Sequence, residues 1–287
     1  MAYPTVSAPY GLQPVNLIGG QVFAGATRQL PIQYGYATSI FYGDFVSLNR
    51  GFITRTAIST ASFTSTALPV GIFVGCTYTN PITKQKTFSQ FWPTGTLAGD
   101  AMAIVTDDPD TAFKAAAVTS GTTIGSVASA MVGQNVGYVD NGGNLNTGNS
   151  LNAVLVPTVT PPAGPATTAT LPLRVVGVVP DTAVTQSYTG SSTTQTITLT
   201  TPLASTSAIV VGSEVGYIAS NGQYIGTGSY VNSVTNVTTV VMNNTIAVPG
   251  SVVAIPAGST IVFTQYPEVI VKFNQAQHEY YSATAMA

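Results

Sequence analysis

Charged side chains are scarce along the whole chain. Asp, Glu, Lys and Arg together make up 6% of its 287 residues, whereas an ordinary soluble domain contains roughly a quarter. Between Asp181 and Glu268 the only charged residue is Glu214. A free monomer usually stays soluble through a charged surface. We therefore expect a surface of Ser, Thr, Asn, Gln and Gly that contacts other chains, and the lack of ionisable groups argues against most enzyme chemistry.

Cysteine and histidine are equally rare. Cys76 is the only cysteine, so no disulfide can form within the chain. It lies in the apolar segment GIFVGC, which favours a small buried side chain. His278 is the only histidine, and its polar, aromatic neighbours indicate a solvated or interfacial residue. With one candidate base and one candidate thiol ligand, we expect neither a catalytic triad nor a zinc site, and no cofactor.

The sequence also shows no basic cluster, no visible secretory signal and no long apolar run. The formal net charge is −2 and the basic residues are scattered, so no positive field attracts a phosphate backbone. The chain does not start with a basic segment followed by an apolar one. No run of about 18 or more apolar residues is present. We expect cytoplasmic synthesis, with neither nucleic acid nor membrane as a partner.

The residues that are present favour β-strands. Val, Ile, Thr, Tyr and Phe are common, and 28 Gly and 18 Pro separate short apolar runs. Many short strands joined by tight turns are typical of β-sandwiches and barrels, so the sequence predicts an all-β fold. The segment around Asn80-Pro81 predicts a hairpin. Predicted strands cover residues 45–48, 70–77, 102–106, 173–179, 197–200, 214–219, 237–242, 260–264 and 269–273.

Composition divides the chain into three parts. Residues 1–30 contain Pro4, Pro9 and Pro14, which exclude a helix or an inner strand. Their apolar side chains would gain from burial, so we expect an extended arm on its own domain or on a neighbour, with a loose terminus as the alternative. A Pro- and Thr-rich linker covers 157–172. Residues 184–259 are rich in Ser, Thr, Gly and Asn, which predicts a small β domain inserted into a main domain of 31–183 completed by 260–287.

The densest acidic segment contains Asp107, Asp108 and Asp110 around Pro109. Asp and Pro are favoured turn residues whose side chains bond their own backbone, so a turn is the main interpretation. A calcium site is the weaker alternative, because carboxylate oxygens suit a hard cation but the Gly and the distal Glu of a calcium loop are missing. Adjacent acids in a turn do not form the opposed pair of a glycosidase.

Aromatic residues are plentiful, with 14 Tyr and 11 Phe. Tyrosine is enriched at protein interfaces because it combines a large apolar area with a polar tip. Core packing accounts for many of these rings, and a platform for sugars is a further interpretation that the sequence does not localise. We expect interface or anchoring residues in the arm and near the main domain: Tyr10, Leu12, Val15, Leu17, Ile18, Phe91 and Trp92.

Several segments resemble a known group of proteins. They are SAPYGLQPVNLIGGQVFAGATRQ (7–29), YGDFV (42–46), FSQFWPTGTLAGDAMAIVTDDPDTAFKA (88–115) and VFTQYPEVIVKFN (262–274). They are similar to virion structural proteins of marine tailed phages, notably those that infect picocyanobacteria. The order of AGD, a short apolar strand and an acidic turn resembles capsid decoration, or cement, proteins.

The resemblance implies a non-enzymatic homotrimer on the capsid exterior that binds the major capsid protein and clamps neighbouring capsomers. An extended residue reaches roughly 3.3 Å, so an arm of about 25 residues could span about 80 Å across such a seam. The alternatives are a tail or neck component, or a receptor- or glycan-binding module with an aromatic groove in residues 184–260. A polysaccharide-cleaving enzyme is a third class, which would need two carboxylates facing each other in a cleft.

Overall fold

The structure is a computed structural model that describes residues 6–17, 25–56, 58–59, 62–63, 68–156, 170–243, 247–248, 251–252 and 254–281. These residues contain short strands and four 3-10 helices, which confirms the predicted all-β class. The strands are β1 (Gln13–Leu17), β2 (Arg28–Pro31), β3 (Phe45–Asn49), β4 (Phe52–Arg55), β5 (Ile58–Ser59), β6 (Ser62–Phe63), β7 (Gly71–Thr79), β8 (Lys86–Ser89), β9 (Met102–Thr106), β10 (Thr111–Ser120), β11 (Thr123–Ile124), β12 (Asn135–Val139), β13 (Ala153–Leu155), β14 (Leu173–Val178), β15 (Val184–Ser192), β16 (Thr196–Leu199), β17 (Glu214–Ile218), β18 (Tyr224–Asn236), β19 (Thr239–Met242), β20 (Ala247–Val248), β21 (Ser251–Val252), β22 (Ser259–Gln265) and β23 (Glu268–Phe273). The 3-10 helices are η1 (Ser129–Met131), η2 (Pro180–Thr182), η3 (Gln275–Gln277) and η4 (Glu279–Tyr281).

The first sheet closes into a barrel. Strand β10 pairs with β13, and the path continues through β12, β14 and β23 back to β10. All of these pairs are antiparallel except β10–β13. The core of this barrel contains aromatic rings in edge contact, such as Phe113 with Phe273 at 5.7 Å between centroids, and Phe45 of the neighbouring β3 joins it through Tyr138 at 4.4 Å. Closure gives each of these strands two neighbours, which leaves fewer edges exposed.

A second sheet packs beside this barrel in the order β2–β9–β7–β3–β4, with β8 added to β7. Its central strands β3 and β7 are buried on both faces. Phe45 and Ile72 belong to the core of the first barrel, whereas Val46 and Phe73 belong to a second core. Neighbouring residues on a strand point to opposite faces, so burial of both faces explains the continuous apolar segment GIFVGC in β7. The predicted hairpin follows β7, and Oδ1 of Asn80 accepts the backbone N–H groups of its turn.

A third unit is a closed antiparallel barrel with the strand order β15–β16–β19–β18–β17–β22. The flanking strands β14 and β23 pair with each other, so this barrel is inserted between two neighbouring strands of the first one. The sequence placed residues 260–265 in the main domain, but β22 pairs with β15 and β17. Its apolar residues Ile261 and Phe263 fill the core of the inserted barrel, which is why this segment lacks the polar composition of the preceding residues.

The inserted barrel contacts the first barrel through one of its ends. The backbone N–H of Ser129 donates to Oε2 of Glu214 at 3.2 Å. Nε2 of Gln265 donates to the carbonyl oxygen of Gly125 at 3.1 Å, and the N–H of Tyr266 donates to Oγ of Ser126 at 3.0 Å. The start of β17 and the end of β22 therefore face the junction, and the opposite strand ends form the outer end of the inserted barrel.

Residues 6–17, the described first part of the N-terminal arm, lie on their own domain. Strand β1 pairs antiparallel with β10, with Gln13 opposite Lys114. The arm lies close to the backbone at Gly43, where an added Cβ would lie only 2.7 Å from the backbone nitrogen of Leu12. The φ of Gly43 is +90°, a conformation that also favours glycine. The sequence left two alternatives for the arm, which could lie on its own domain or on a neighbouring chain. In the structure the arm pairs with β10 of its own domain as an added strand. Most of the predicted linker 157–172 lies outside the described residues.

Candidate interaction surfaces

The predicted arm residues divide between core and surface. Leu12 is fully buried in the core of the first barrel, so it anchors the arm to its own domain, and only the alternative of an interface with another chain was wrong. Tyr10 and Val15 are half-buried. The backbone of Leu17 pairs with Thr111, while its side chain lies outside the described residues. Ile18 also lies outside the described residues, so its predicted role stays a prediction.

Tyr10 ties the arm to strands β10 and β23. Its hydroxyl donates a hydrogen bond to Oε1 of Glu268, and Nζ of Lys114 lies 3.4 Å from the same oxygen. That ammonium also lies 5.5 Å from the centroid of the Tyr10 ring, within cation–π range. Burial raises the pKa of Tyr10, and the Glu268 carboxylate adds to the shift. The hydroxyl therefore stays protonated and keeps donating.

Phe91 and Trp92 are neighbours in sequence with different surroundings. Trp92 is fully buried in the second core, where its Nε1 donates to the carbonyl oxygen of Tyr36 at 3.2 Å. Its ring makes an edge contact with Tyr78 at 5.5 Å. No part of the side chain is accessible, so the interface alternative was wrong, and the ring instead anchors the second core of its own domain. Phe91 is half-buried and stacks on Phe41 at 5.8 Å, so its interface role stays a prediction.

The β7–β8 hairpin exposes large apolar side chains that the sequence analysis did not select. Ile82, in the turn, is 88% exposed, and Phe88, on β8, is 78% exposed. Phe88 lines an open groove of about 470 Å³ together with Tyr42, Val74 and Ile104. We call Ile82, Phe88, Tyr42, Val74 and Ile104 together the hairpin surface. Among the described residues β8 pairs only with β7, so its outer edge can accept another strand.

The acidic turn directs its carboxylates to different partners. Asp107 forms an ion pair with Arg28 at 2.9 Å and accepts the hydroxyl of Tyr280 at 2.6 Å. Oδ1 of Asp108 accepts the backbone N–H of Asp110 at 2.9 Å, which is the side-chain-to-backbone bond expected of a turn. Asp110 lies 3.7 Å from Lys272. Within the part of the chain that the structure describes, no group of three or more His, Cys, Asp or Glu is arranged to hold a metal ion.

A buried ionic network joins the second sheet to the loop before β13. Asp44 is fully buried, and its Oδ2 accepts from Nε of Arg55 and from the N–H of Phe41, both at 2.9 Å. Its Oδ1 accepts from Nδ2 of Asn152 at 2.8 Å. Arg55 also pairs with Asp140. Burial raises the pKa of Asp44 to about 6, and Arg55 opposes that rise.

The network holds loops and strands together. Asp44, Arg55 and Asp140 line none of the three cavities of about 330, 470 and 80 Å³ found in the described part of the chain. Sequence reasoning missed it because its members are distant along the chain. The one local signal is an acid placed directly before the apolar strand β3, in the segment YGDFV. An acid in such a position is almost never fully buried unless it is paired.

His278 and Cys76 are both buried. His278 is fully buried, and its ring makes edge contacts with Phe273 at 4.8 Å and Tyr280 at 5.0 Å. The expectation of a solvated or interfacial histidine was therefore wrong, because the segment after β23 folds back onto the barrel. Burial lowers the pKa of His278 to about 4. The buried position expected for Cys76 is confirmed, and burial raises its pKa to about 12.

No helix among the described residues is long and apolar enough to cross a membrane. Comparisons with protein families, curated proteins and solved structures found no match for this chain.

Proposed function

We propose that the chain is a virion structural subunit of the capsid decoration, or cement, type. In this proposal it forms a homotrimer on the capsid exterior, binds the major capsid protein and strengthens the seams between capsomers. It acts by burying surface rather than by catalysing a reaction. The proposal starts from the resemblance expected on the sequence of residues 7–29, 42–46, 88–115 and 262–274.

The observation that carries the proposal is the hairpin surface. Ile82 and Phe88 are almost fully accessible in a chain whose other large apolar side chains mostly fill three cores. Exposed apolar groups beside an open strand edge are typical of protein–protein contacts, and proteins otherwise protect such edges. A docked strand would gain backbone hydrogen bonds from β8, and its side chains would cover Phe88 and the groove.

A contact of this kind depends little on salt. Ion pairs are screened within about 3 Å at 1 M ionic strength, whereas burial of apolar area does not rely on charge. With only 6% charged residues, the surface offers few groups for ionic docking. We therefore expect capsid binding to persist at high salt, as a marine particle requires.

Co-sedimentation with purified phage heads tests the proposal. The Phe88→Ser variant is expected to lose most of its binding to heads at every salt concentration. Phe52→Ser is the matched control, because Phe52 is also exposed, at 40%, but lies on a different strand, β4. Wild-type protein that does not sediment with heads, or equal binding by both variants, would contradict the proposal. The tail or neck alternative predicts binding to tails and not to heads.

A further inference from the structure

One face of the inserted barrel has an unusual composition. Along β17 the side chains of Val215 and Tyr217 point into the barrel core, so Glu214, Gly216 and Ile218 face outward because strand side chains alternate. Glu214 is the only charged residue between Asp181 and Glu268. This outward face therefore contains one carboxylate, one position without a side chain and one apolar side chain, in that order toward the outer end.

The ring of Tyr224 lies over the position without a side chain. Tyr224 pairs with Ile218, and Gly226 pairs with Gly216, in the antiparallel ladder of β17 and β18. A Cβ added to Gly216 would overlap with Cζ and the hydroxyl oxygen of Tyr224, so the ring occupies the space that a side chain would fill. Tyr224 is nevertheless 50% exposed. The result is an aromatic ring held against the sheet and accessible to solvent.

Polar groups lie at one side of this ring, toward the junction. Burial raises the pKa of Tyr224 and of Tyr266, and for both phenols the carboxylate of Glu214 is the next cause. Oε2 of Glu214 accepts the N–H of Ser129, which fixes the carboxylate in place. The Tyr266 hydroxyl and the Glu214 carboxylate therefore border the Tyr224 ring, and together with the ring's own hydroxyl they provide both donors and acceptors.

A cavity lies at the other side, at the outer end of the barrel. It has a volume of about 330 Å³ and is lined by Ile218 together with Ser220, Ser259 and Thr260. Thr260 is paired with Ile218, which places the cavity next to the Tyr224–Ile218 pair. Its lining contains no charged residue. The volume is at the lower end of the roughly 300–1,000 Å³ of small-molecule sites.

We propose that this face, formed by Glu214, Tyr224, Tyr266, Ile218 and the adjoining cavity, binds a neutral oligosaccharide. A hexose ring has an apolar C–H face, which suits the π face of a tyrosine, and hydroxyl groups, which suit a carboxylate, phenols and serine hydroxyls. Glu214, the only charged residue between Asp181 and Glu268, is negative and disfavours sulfated, phosphorylated or acidic sugars. In this proposal one sugar unit stacks on the exposed Tyr224 ring and a further unit occupies the adjoining cavity.

Titration calorimetry of the purified chain with neutral glucose, galactose and mannose hexasaccharides tests this site. We expect at least one of them to bind and Tyr224→Ala to weaken binding about tenfold or more, while Tyr224→Phe, which keeps the ring, loses less. Glu214→Gln is expected to weaken binding severalfold. Tyr34→Ala is the matched control, since Tyr34 is 61% exposed but lies outside the inserted barrel, and it should bind as the wild type does.

Amide chemical shifts give a second readout that does not depend on a folded variant. Addition of the bound hexasaccharide to the wild type should shift the signals of Gly216, Gly226 and Ser220. Absence of binding to all three hexasaccharides, undiminished binding by Tyr224→Ala, or shifts confined to another surface would overturn the assignment. These outcomes are independent of head binding, so the decoration role can fail while the saccharide site stands, and the reverse.

Discussion

The hydroxyl of Tyr10 donates a hydrogen bond to the carboxylate of Glu268, which follows it by 258 positions in the sequence. Tyr10 lies in the arm, and Glu268 begins β23, a strand of the first barrel. Glu268 is itself only 4% exposed. The bond therefore fixes the arm to the barrel at a buried point. If Tyr10 were removed, water could not readily take its place as a donor to Glu268.

Removal of this hydroxyl should loosen the arm. Tyr10→Phe takes away one donor and leaves a buried carboxylate with fewer partners, which costs about 1–3 kcal/mol. We expect amide hydrogen exchange to become faster in residues 11–17 while exchange in β23 changes little. Tyr34→Phe provides the control, because Tyr34 is exposed. Unchanged exchange in the arm would show that strand pairing with β10 alone holds it.

Two adjacent aromatic residues should differ sharply in their contribution to stability. Trp92→Ala removes a fully buried ring and its hydrogen bond to Tyr36, so the free energy of unfolding should fall by about 3–5 kcal/mol. Phe91 is half-buried, and Phe91→Ala should cost less than half as much. Urea denaturation at neutral pH measures both values. Equal losses would contradict the placement of Trp92 in the core.

Local patterns in the sequence were sufficient to predict the fold class and several turns. The strands at 102–106 and 269–273 follow short apolar runs, and the turn at Asn221-Gly222 joins β17 to β18 as an Asn-Gly pair predicts. Asn141-Gly142 contains the same residue pair, but it begins a longer loop between β12 and β13. There the Asn141 side chain bonds the carbonyl oxygens of Gly121 and Leu151, a non-local arrangement.

The other misassignments have the same origin. An apolar residue in an arm predicts burial but not the chain that buries it, and for Leu12 the partner is its own barrel. His278 has polar neighbours in sequence, yet its ring is enclosed by Phe273 from β23 and by Tyr280. The Asp44–Arg55–Asp140 network and the ring of Tyr224 over Gly216 depend on strand register. Composition and spacing do not contain that register.

Two buried groups should give opposite pH effects on stability. Burial lowers the pKa of His278 from 6.5 to about 4. Between these two pH values the unfolded chain therefore binds a proton at His278 that the folded chain does not bind. Folding is therefore weakened by His278 as the pH falls. The pKa of Asp44 is raised to about 6 from 3.8, so the folded chain binds the extra proton between these values, and this favours folding as the pH falls.

The free energy of unfolding of two variants, measured in urea at pH 7, 5.5 and 4.5, separates these effects. Relative to wild type, His278→Leu should become more stable as the pH falls, since the destabilising titration is gone. Relative to wild type, Asp44→Asn should become less stable as the pH falls, since the favourable titration is gone. Parallel pH profiles for the two variants and the wild type would show that neither group titrates as its burial implies.

Cys76 should be an unreactive thiol in the folded chain. It is 1% exposed, and its pKa is raised to about 12 by burial, so at pH 8 almost no thiolate is available to attack a disulfide reagent. We expect its reaction with such a reagent to proceed only as fast as the chain unfolds. Rapid labelling of native protein, at a rate similar to that in guanidinium chloride, would contradict the burial of β7.

A cryo-electron microscopy reconstruction of the intact phage particle, with this chain traced in the map, tests the decoration role most directly. The proposal predicts density for the chain on the outside of the head at the seams between capsomers, with Ile82 and Phe88 of the hairpin surface in contact with a capsid subunit or a second copy. Density confined to the tail or to the region below the portal, or a particle that lacks the chain, would contradict it.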